Sequence, residues 1–157
     1  MNAIRGSAAL ILVLAIGGCT AKQEQEQEQA AEPPCSTKID TSALPTWART
    51  GFSGDGSGNP HVFSKSGDMV GVLFGNPLTA PPATDHNNKI LWVSKTPVTT
   101  GDNLKITAKL DGTGETAERQ VDGGPGPSII DLPKPGCWRF TLAWSGRTDT
   151  MDLTYSS

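Results

Sequence analysis

The chain has 157 residues, with 13 Lys plus Arg against 16 Asp plus Glu and a formal net charge of -3. It contains no block of basic residues, which argues against a nucleic-acid partner, and a mildly acidic balance is normal for a folded domain. Glycine and proline are frequent, at 18 and 12 residues, and they separate short β-rich runs. Because helical periodicity is hard to find after Pro34, the composition favours an all-β domain.

The amino-terminal residues have the order of a secretory signal. Arg5 precedes an apolar run over residues 8–16, and two glycines then lead into Cys19. The run is shorter than the roughly 20 residues that cross about 30 Å of hydrocarbon. Residues 1–18 are therefore predicted to be a signal peptide and not a membrane span. An ordinary signal peptide that happens to end near a cysteine is the alternative.

The string Leu14-Ala15-Ile16-Gly17-Gly18-Cys19 resembles the lipobox of bacterial lipoproteins. The resemblance implies that Cys19 is lipidated, with acyl chains such as palmitate on a diacylglyceryl group, and becomes the first residue of the mature protein. Two acyl chains give a lasting anchor, whereas one holds a protein only marginally. The membrane is then one partner. The implied location is the outer face of the cytoplasmic membrane, or the outer membrane where the host has one.

Residues 19–34 are predicted to be a disordered leash. They contain a Gln/Glu repeat and end in Pro33-Pro34, and such a segment cannot bury enough apolar surface to offset its ordering entropy. A solvated segment of this kind is what a tethered domain needs between its lipid and its core. Residues 35–157, about 120 in number, are enough for one domain with a hydrophobic core.

Two cysteines remain once Cys19 is assigned to the lipid. Cys35 opens the folded part, and Cys137 begins the last predicted hairpin. Because an exported protein meets an oxidising compartment, we expect these two residues to form a disulfide. A reactive or metal-binding thiol is the alternative, and no His or further Cys lies at ligand spacing to support it.

The predicted domain contains short segments with the alternation or β-rich composition of strands, bounded by turn residues. The stretch over 104–110 alternates apolar and polar side chains at seven positions, which predicts a strand with one buried face. Long irregular loops are predicted at Ser53–Pro60 and Leu78–Asn88. The six predicted strands before the last hairpin are His61–Ser64, Met69–Phe74, Lys89–Val93, Leu104–Leu110, Thr116–Val121 and Ser128–Leu132.

The end of the chain has the clearest pattern. Large apolar side chains repeat at every second position on two successive strands, so one face of this hairpin must be buried. A second sheet about 10 Å away is the natural partner. We also expect Trp92, on an apolar strand, to belong to the core. The hairpin residues of shared parity are Trp138, Phe140, Leu142, Trp144, Met151, Leu153 and Tyr155.

Residues Pro133–Gly146, followed by Asp149–Tyr155, resemble the closing hairpin of immunoglobulin-like modules on bacterial surface proteins. The chain as a whole resembles small actinobacterial lipoproteins of uncharacterised function. The resemblance implies an immunoglobulin-like two-sheet sandwich of about seven to eight short strands. The cysteines do not follow the Cys–Trp–Cys arrangement of antibody domains, and sandwiches of this class host unrelated functions.

Five residues are candidates for a ligand or partner surface. Residues 55–59 have oxygen ligands at alternate positions, yet they lack the acidic twelfth position of a calcium loop. Two histidines without a fixed spacing are more often loop residues than ligands, so neither a metal nor a cofactor is predicted. Trp47 has the least predictable environment of the four tryptophans. The candidates are Trp47, Asp55, His61, Asp85 and His86.

Enzyme activity is not expected, because no serine lies in a nucleophile elbow and no glycine-rich loop has the residues of a phosphate cradle. The leading hypothesis is a non-catalytic interaction or binding module, such as an accessory subunit, with a protein partner at the envelope. That partner would meet Ser53–Pro60 and Leu78–Asn88, since loops on a rigid scaffold carry recognition. A lipoprotein that binds a small solute or a metal is the alternative, and a cell-wall enzyme with paired carboxylates is a remote one.

Overall fold

The structure, a computed structural model, describes residues 32–157. The predicted signal peptide, Cys19 and most of the predicted leash lie outside the described residues. Residues Pro33–Ser157 form one compact unit. This unit is a two-sheet β-sandwich, which confirms the predicted fold class, and it contains nine strands instead of seven to eight.

The strands are mostly short, and the described residues contain a single helical turn, the 3₁₀ helix Thr46–Ala48. The nine strands are β1 (His61–Phe63), β2 (Met69–Leu73), β3 (Leu78–Thr79), β4 (Lys89–Ser94), β5 (Leu104–Leu110), β6 (Thr116–Val121), β7 (Pro127–Ile129), β8 (Gly136–Trp144) and β9 (Arg147–Ser156).

One sheet has the order β1-β2-β4-β7, and the other has the order β3-β9-β8-β5-β6. All neighbours are antiparallel except β3 and β9, which run parallel. The prediction of a loop over Leu78–Asn88 missed β3, because two residues between prolines are too few to show an alternation. The predicted strand Ser128–Leu132 is also displaced, since the ladder of β7 ends at Ile129.

The core lies between the two sheets, and the predicted parity of the last hairpin is confirmed. Residues of β5 alternate between buried and exposed, and the inward side chains of β8 and β9 are buried. Each buried indole also has a partner for its N–H, as buried tryptophans require. These bonds are Trp92 Nε1 to Ser128 Oγ at 2.9 Å, Trp138 Nε1 to the Lys134 carbonyl at 3.0 Å, and Trp144 Nε1 to Ser94 Oγ at 3.0 Å.

The four-stranded sheet is covered by the other sheet on its inner face and partly covered on its outer face. All five residues of β2 are buried, although an antiparallel strand with one solvated face would alternate. The outward-facing Val70 and Val72 pack against Leu44 and Ala48. We name residues 41–60 the cover loop. Its ends are held together by the bridge between Asp40 and His61 and by a bond from the Gly58 N–H to the Thr41 carbonyl at 2.8 Å.

Residues 33–37, which we name the strap, lie on the outer face of the five-stranded sheet. The predicted disulfide between Cys35 and Cys137 is confirmed, with the two Cα atoms 6.0 Å apart. Arg139 donates to the Pro33 carbonyl at 2.6 Å, and the Ser36 N–H donates to Asp152 Oδ2 at 2.9 Å. Since Arg139 also pairs with Asp152 at 3.1 Å, the strap is joined to both β8 and β9.

The strand directions give the sandwich two distinct ends. The strap end holds the start of β8 and the end of β9, where Cys137 pairs with Thr154. The chain from β2 to β4 lies at the same end, because Leu78 and Thr79 of β3 pair with Tyr155 and Ser156 of β9. The far end holds the β8–β9 turn and the β4–β5 and β6–β7 connections. The Thr99 N–H donates to Ser145 Oγ there at 2.8 Å, and the Gly123 N–H donates to Asn103 Oδ1 at 2.9 Å.

Removal of the disulfide tests how much the strap stabilises the fold. The bridge closes a loop with a sequence separation of 102 residues, and loss of a native disulfide from a small exported domain costs about 2–5 kcal/mol. A chain with Cys35→Ser and Cys137→Ser should lose about that much free energy of unfolding in urea titrations. Reductant should destabilise the wild type and leave the double variant unchanged. A wild-type midpoint that does not move in reductant would contradict this role.

Candidate functional site

The loop between β3 and β4 holds two of the predicted site residues in direct contact. His86 Nδ1 lies 2.8 Å from Asp85 Oδ1, and His86 Nε2 lies 2.9 Å from the Pro77 carbonyl oxygen. The Pro77 carbonyl and the Asp85 carboxylate both raise the pKa of His86, because each accepts a proton of the imidazolium. The hydrogen bond from His86 in turn lowers the pKa of Asp85.

Both ring nitrogens of His86 are therefore engaged within the loop itself. A histidine that serves as a general base takes its proton from a nucleophile through one nitrogen while an acid orients the other. Here the nitrogen opposite Asp85 faces a backbone carbonyl. This geometry favours a clasp that holds the loop closed.

Asn88 fixes the same loop to both sheets, and its side chain was not singled out from the sequence. It is fully buried, and its Oδ1 accepts from the Thr79 N–H at 2.8 Å. Its Nδ2 donates to the Thr79 carbonyl at 2.9 Å and to Asp131 Oδ1 at 2.8 Å. A buried amide with three hydrogen bonds to two residues orders β3 next to β4. The sequence gives no signal for this role, because Asn88 is one asparagine in a polar stretch.

Gly75, which lies between β2 and β3, closely approaches the end of this loop because it has no side chain. A Cβ placed on it would lie 2.0 Å from the Asn87 carbonyl oxygen and 3.1 Å from the Lys89 nitrogen. Both are backbone atoms, so they cannot move aside as a flexible side chain could.

The four-stranded sheet carries an exposed apolar group where its outer face meets the strap end. Phe52 and Phe74 stack with ring centroids 6.1 Å apart and an interplanar angle of 5°. The Lys89 Nζ lies 5.4 Å from the centroid of Phe74, and Lys89 pairs in register with Ile129. We name Phe52, Phe74, Lys89 and Ile129 the apolar rim. Phe74 and Ile129 are 51% and 53% exposed.

The other predicted site residues are separate from Asp85 and His86. Trp47 is half-buried and packs on the cluster formed by the cover loop and the sheet. Asp55 is exposed and belongs to a turn, where the Ser57 N–H donates to its Oδ1 at 3.0 Å and lowers its pKa. The structure therefore places Trp47 and Asp55 in the cover loop and gives Asp55 a structural partner.

His61 does not lie at a surface as the sequence analysis expected. It is 0% exposed, because it begins β1 between Asp40 on one side and Val72 of β2 on the other. Its Nδ1 lies 2.9 Å from the Asn59 carbonyl oxygen, and its ring meets Phe63 edge to face. Its Nε2 is buried with no hydrogen-bond partner among residues 32–157.

Within residues 32–157, no three His, Cys, Asp or Glu side chains are grouped closely enough to hold a metal ion. The same part of the chain has no helix with the length and hydrophobicity needed to cross a bilayer.

The residues of the apolar rim were missed because the sequence pattern around them is weak. Phe74 is two positions after Val72, so the alternation of β2 places it on the same outer face as Val70 and Val72. The sequence does not show that β2 has two apolar faces with different coverings, so this assignment was missed. Ile129 lies within a segment whose length was overestimated, so its side of the sheet could not be assigned.

Comparisons with known proteins leave the family open. No family model matches the chain, and no curated protein matches it. One similar solved structure is the crystal structure of a "Putative Lipoprotein" from Bacillus anthracis, with 14% sequence identity and a TM-score of 0.45. The similarity covers 76% of this chain and 88% of that chain. A similarity at this level carries no argument about function.

The close approach at Gly75 predicts a strong effect of one added methyl group. Gly75→Ala should destabilise the domain by about 1–3 kcal/mol, since the backbone must shift to relieve the overlap. Gly114→Ala is the matched control, because its added Cβ would meet no heavy atom within 4 Å, and it should stay within about 0.5 kcal/mol of the wild type. Equal urea midpoints for the two variants would refute the packing of this turn.

The raised pKa of His86 predicts a pH-dependent contribution to stability. Since the folded pKa of His86 lies above the ordinary histidine value of 6.5, the contribution is fully present below the unfolded pKa and is lost as pH rises through the folded pKa. The difference in melting temperature between the wild type and His86→Asn should shrink as pH increases from about 5.5 to 8. Because His61 is present in both proteins, any effect of His61 cancels in the difference between the two melting temperatures. A difference independent of pH would argue against the clasp.

Proposed function

We propose that this protein is a lipid-anchored extracytoplasmic lipoprotein that acts as a non-catalytic interaction module, such as an accessory subunit. The anchor is Cys19, in the lipobox-like string that follows the apolar run. The location is the outer face of the cytoplasmic membrane, or the outer membrane where the host has one. The disulfide supports this proposal, because such bonds persist in oxidising compartments outside the cytosol.

The observation that carries the proposal is the position of the strap at one end of the sandwich. Because the chain reaches the domain through Pro33 and is fixed there by Cys35, a lipid on Cys19 would keep the strap end near the membrane. The connections at the far end would then be presented away from the lipid. These connections are bonded to one another, and loops held on a rigid scaffold are well suited to recognition.

The far end also carries an exposed apolar side chain. Val98 is 37% exposed, and a Cβ on Gly124 would meet it at 2.8 Å, so the β4–β5 and β6–β7 connections lie against each other. The predicted partner loop Leu78–Asn88 belongs to the strap end instead. We therefore propose that a protein partner meets residues 95–103 and 122–126.

An immunoglobulin-like sandwich fits the strand order. In the five-stranded sheet β9 pairs with β8, β8 with β5 and β5 with β6, while β4 and β7 are neighbours in the opposite sheet. The chain thus crosses between the sheets before and after β5 and β6, as Greek-key sandwiches do. We propose on this basis that the domain is immunoglobulin-like, of the kind found in small actinobacterial lipoproteins.

The anchor is tested by substitution of the lipidated residue. Cys19→Ser should leave the protein unprocessed or release it from the membrane fraction, because no thiol remains for the lipid. Thr20→Ser is the matched control and should fractionate as the wild type. If Cys19→Ser still fractionates as a mature, detergent-soluble lipoprotein, the anchor is elsewhere.

The partner is tested by photo-crosslinking in native membranes. A photoreactive residue at the exposed position Thr100, at the far end, should give a discrete protein adduct. The same residue at Lys109, exposed on the outer face of the five-stranded sheet, should not. A membrane-bound protein that gives no adduct from position 100 would contradict the proposed module.

A further inference from the structure

The apolar rim has the composition of a membrane-interface contact. Phe74 and Ile129 each expose more than half of their surface. Large apolar side chains that are exposed in one patch often mark a site of contact with a protein or a membrane. Phe52 supports Phe74 from behind by stacking. The rim therefore contains a stacked aromatic pair together with a second exposed apolar side chain, Ile129.

A cation lies next to these apolar groups. The Lys89 Nζ is 5.4 Å from the Phe74 centroid, and Lys89 is exposed and opposite Ile129 in the ladder. Aromatic rings favour the level of the lipid head groups, and lysines at the same depth attract anionic lipids. Together these residues match the chemistry of a phospholipid surface better than that of a polar protein surface.

The length of chain between Cys19 and Pro33 limits which end of the domain can lie near the membrane. About 14 residues join Cys19 to Pro33, which span roughly 20 Å as a coil and at most about 50 Å when extended. The nine-residue strand β8 is about 30 Å long. A short tether thus favours contact of the lipid with the strap end over contact with the far end.

The rim lies at that same end. Phe74 directly follows β2, and its N–H donates to the Lys89 carbonyl at 2.9 Å where β4 begins. The strap lies on the outer face of the five-stranded sheet and the rim on the outer face of the four-stranded sheet. The rim and the strap thus lie at the same end of the sandwich, on its two opposite outer faces.

We propose that the apolar rim docks on the phospholipid surface that holds the anchor. Phe74 and Ile129 enter the interface between head groups and acyl chains, and Lys89 pairs with lipid phosphate. The contact orients the domain with its far end away from the bilayer. The inference rests on the lipid anchor proposed above, and it adds a second, weaker membrane contact that needs no further modification.

The test places an environment-sensitive fluorophore on the lipidated protein in vesicles of phosphatidylethanolamine and phosphatidylglycerol. Phe74→Cys provides the only free thiol, because Cys19 carries the lipid and the other two cysteines are bonded. Ile129→Cys is a second reporter in case the first variant is perturbed, and Thr100→Cys is the control at the far end. We expect a blue shift of emission and quenching by acyl-brominated lipids at positions 74 and 129, with neither at position 100.

The outcomes separate this inference from the proposed anchor. If the protein is bound to the membrane but the labels at positions 74 and 129 report water, as the label at position 100 does, the docking is wrong and the anchor stands. Labels shielded from water but not quenched by brominated lipid would mean that protein covers the rim, which also overturns it. If the protein purified from its host carries no lipid on Cys19 and stays in solution, the proposed anchor is contradicted instead.

Discussion

The attachment of residues 33–40 to both sheets is the constraint on which the rest of the structure depends. The disulfide holds Cys35 on β8, and Ser36 is bonded to Asp152 of β9. A few residues later Asp40 bridges to β1 of the opposite sheet. The segment before the first strand therefore spans the sandwich, and its path determines where the cover loop begins and where a tether must leave the domain.

The cover loop follows from the apolar character of β2 on both faces. Met69 and Leu73 face the five-stranded sheet, whereas Val70 and Val72 face outward, and burying the outward pair favours a second layer. The cover loop supplies that layer, but it does not extend over the rim. Phe74 and Ile129 consequently remain exposed at the end nearest the strap, and Phe63 of β1 is a further exposed side chain on this face.

The sequence predicts the fold well where long strands show their period. Leu104–Leu110 and the last hairpin have enough residues to display it, and the disulfide follows from cysteine number and compartment. β1 and β3 have three and two residues, too few to reveal which face each side chain takes. His61, which follows a glycine-rich stretch, was a candidate for a ligand or partner surface and is buried. The hydrogen bonds of Asn88 depend on Thr79 and on Asp131, which is distant in the sequence.

The most direct measurement is the intact mass of the protein extracted from its native membrane. An anchored sandwich held by the strap predicts a chain that begins at Cys19 with its lipid attached. It also predicts that alkylation without reductant adds nothing, because the strap cysteines are bonded. A chain that begins elsewhere without lipid, or one in which Cys35 and Cys137 are alkylated, would contradict the account.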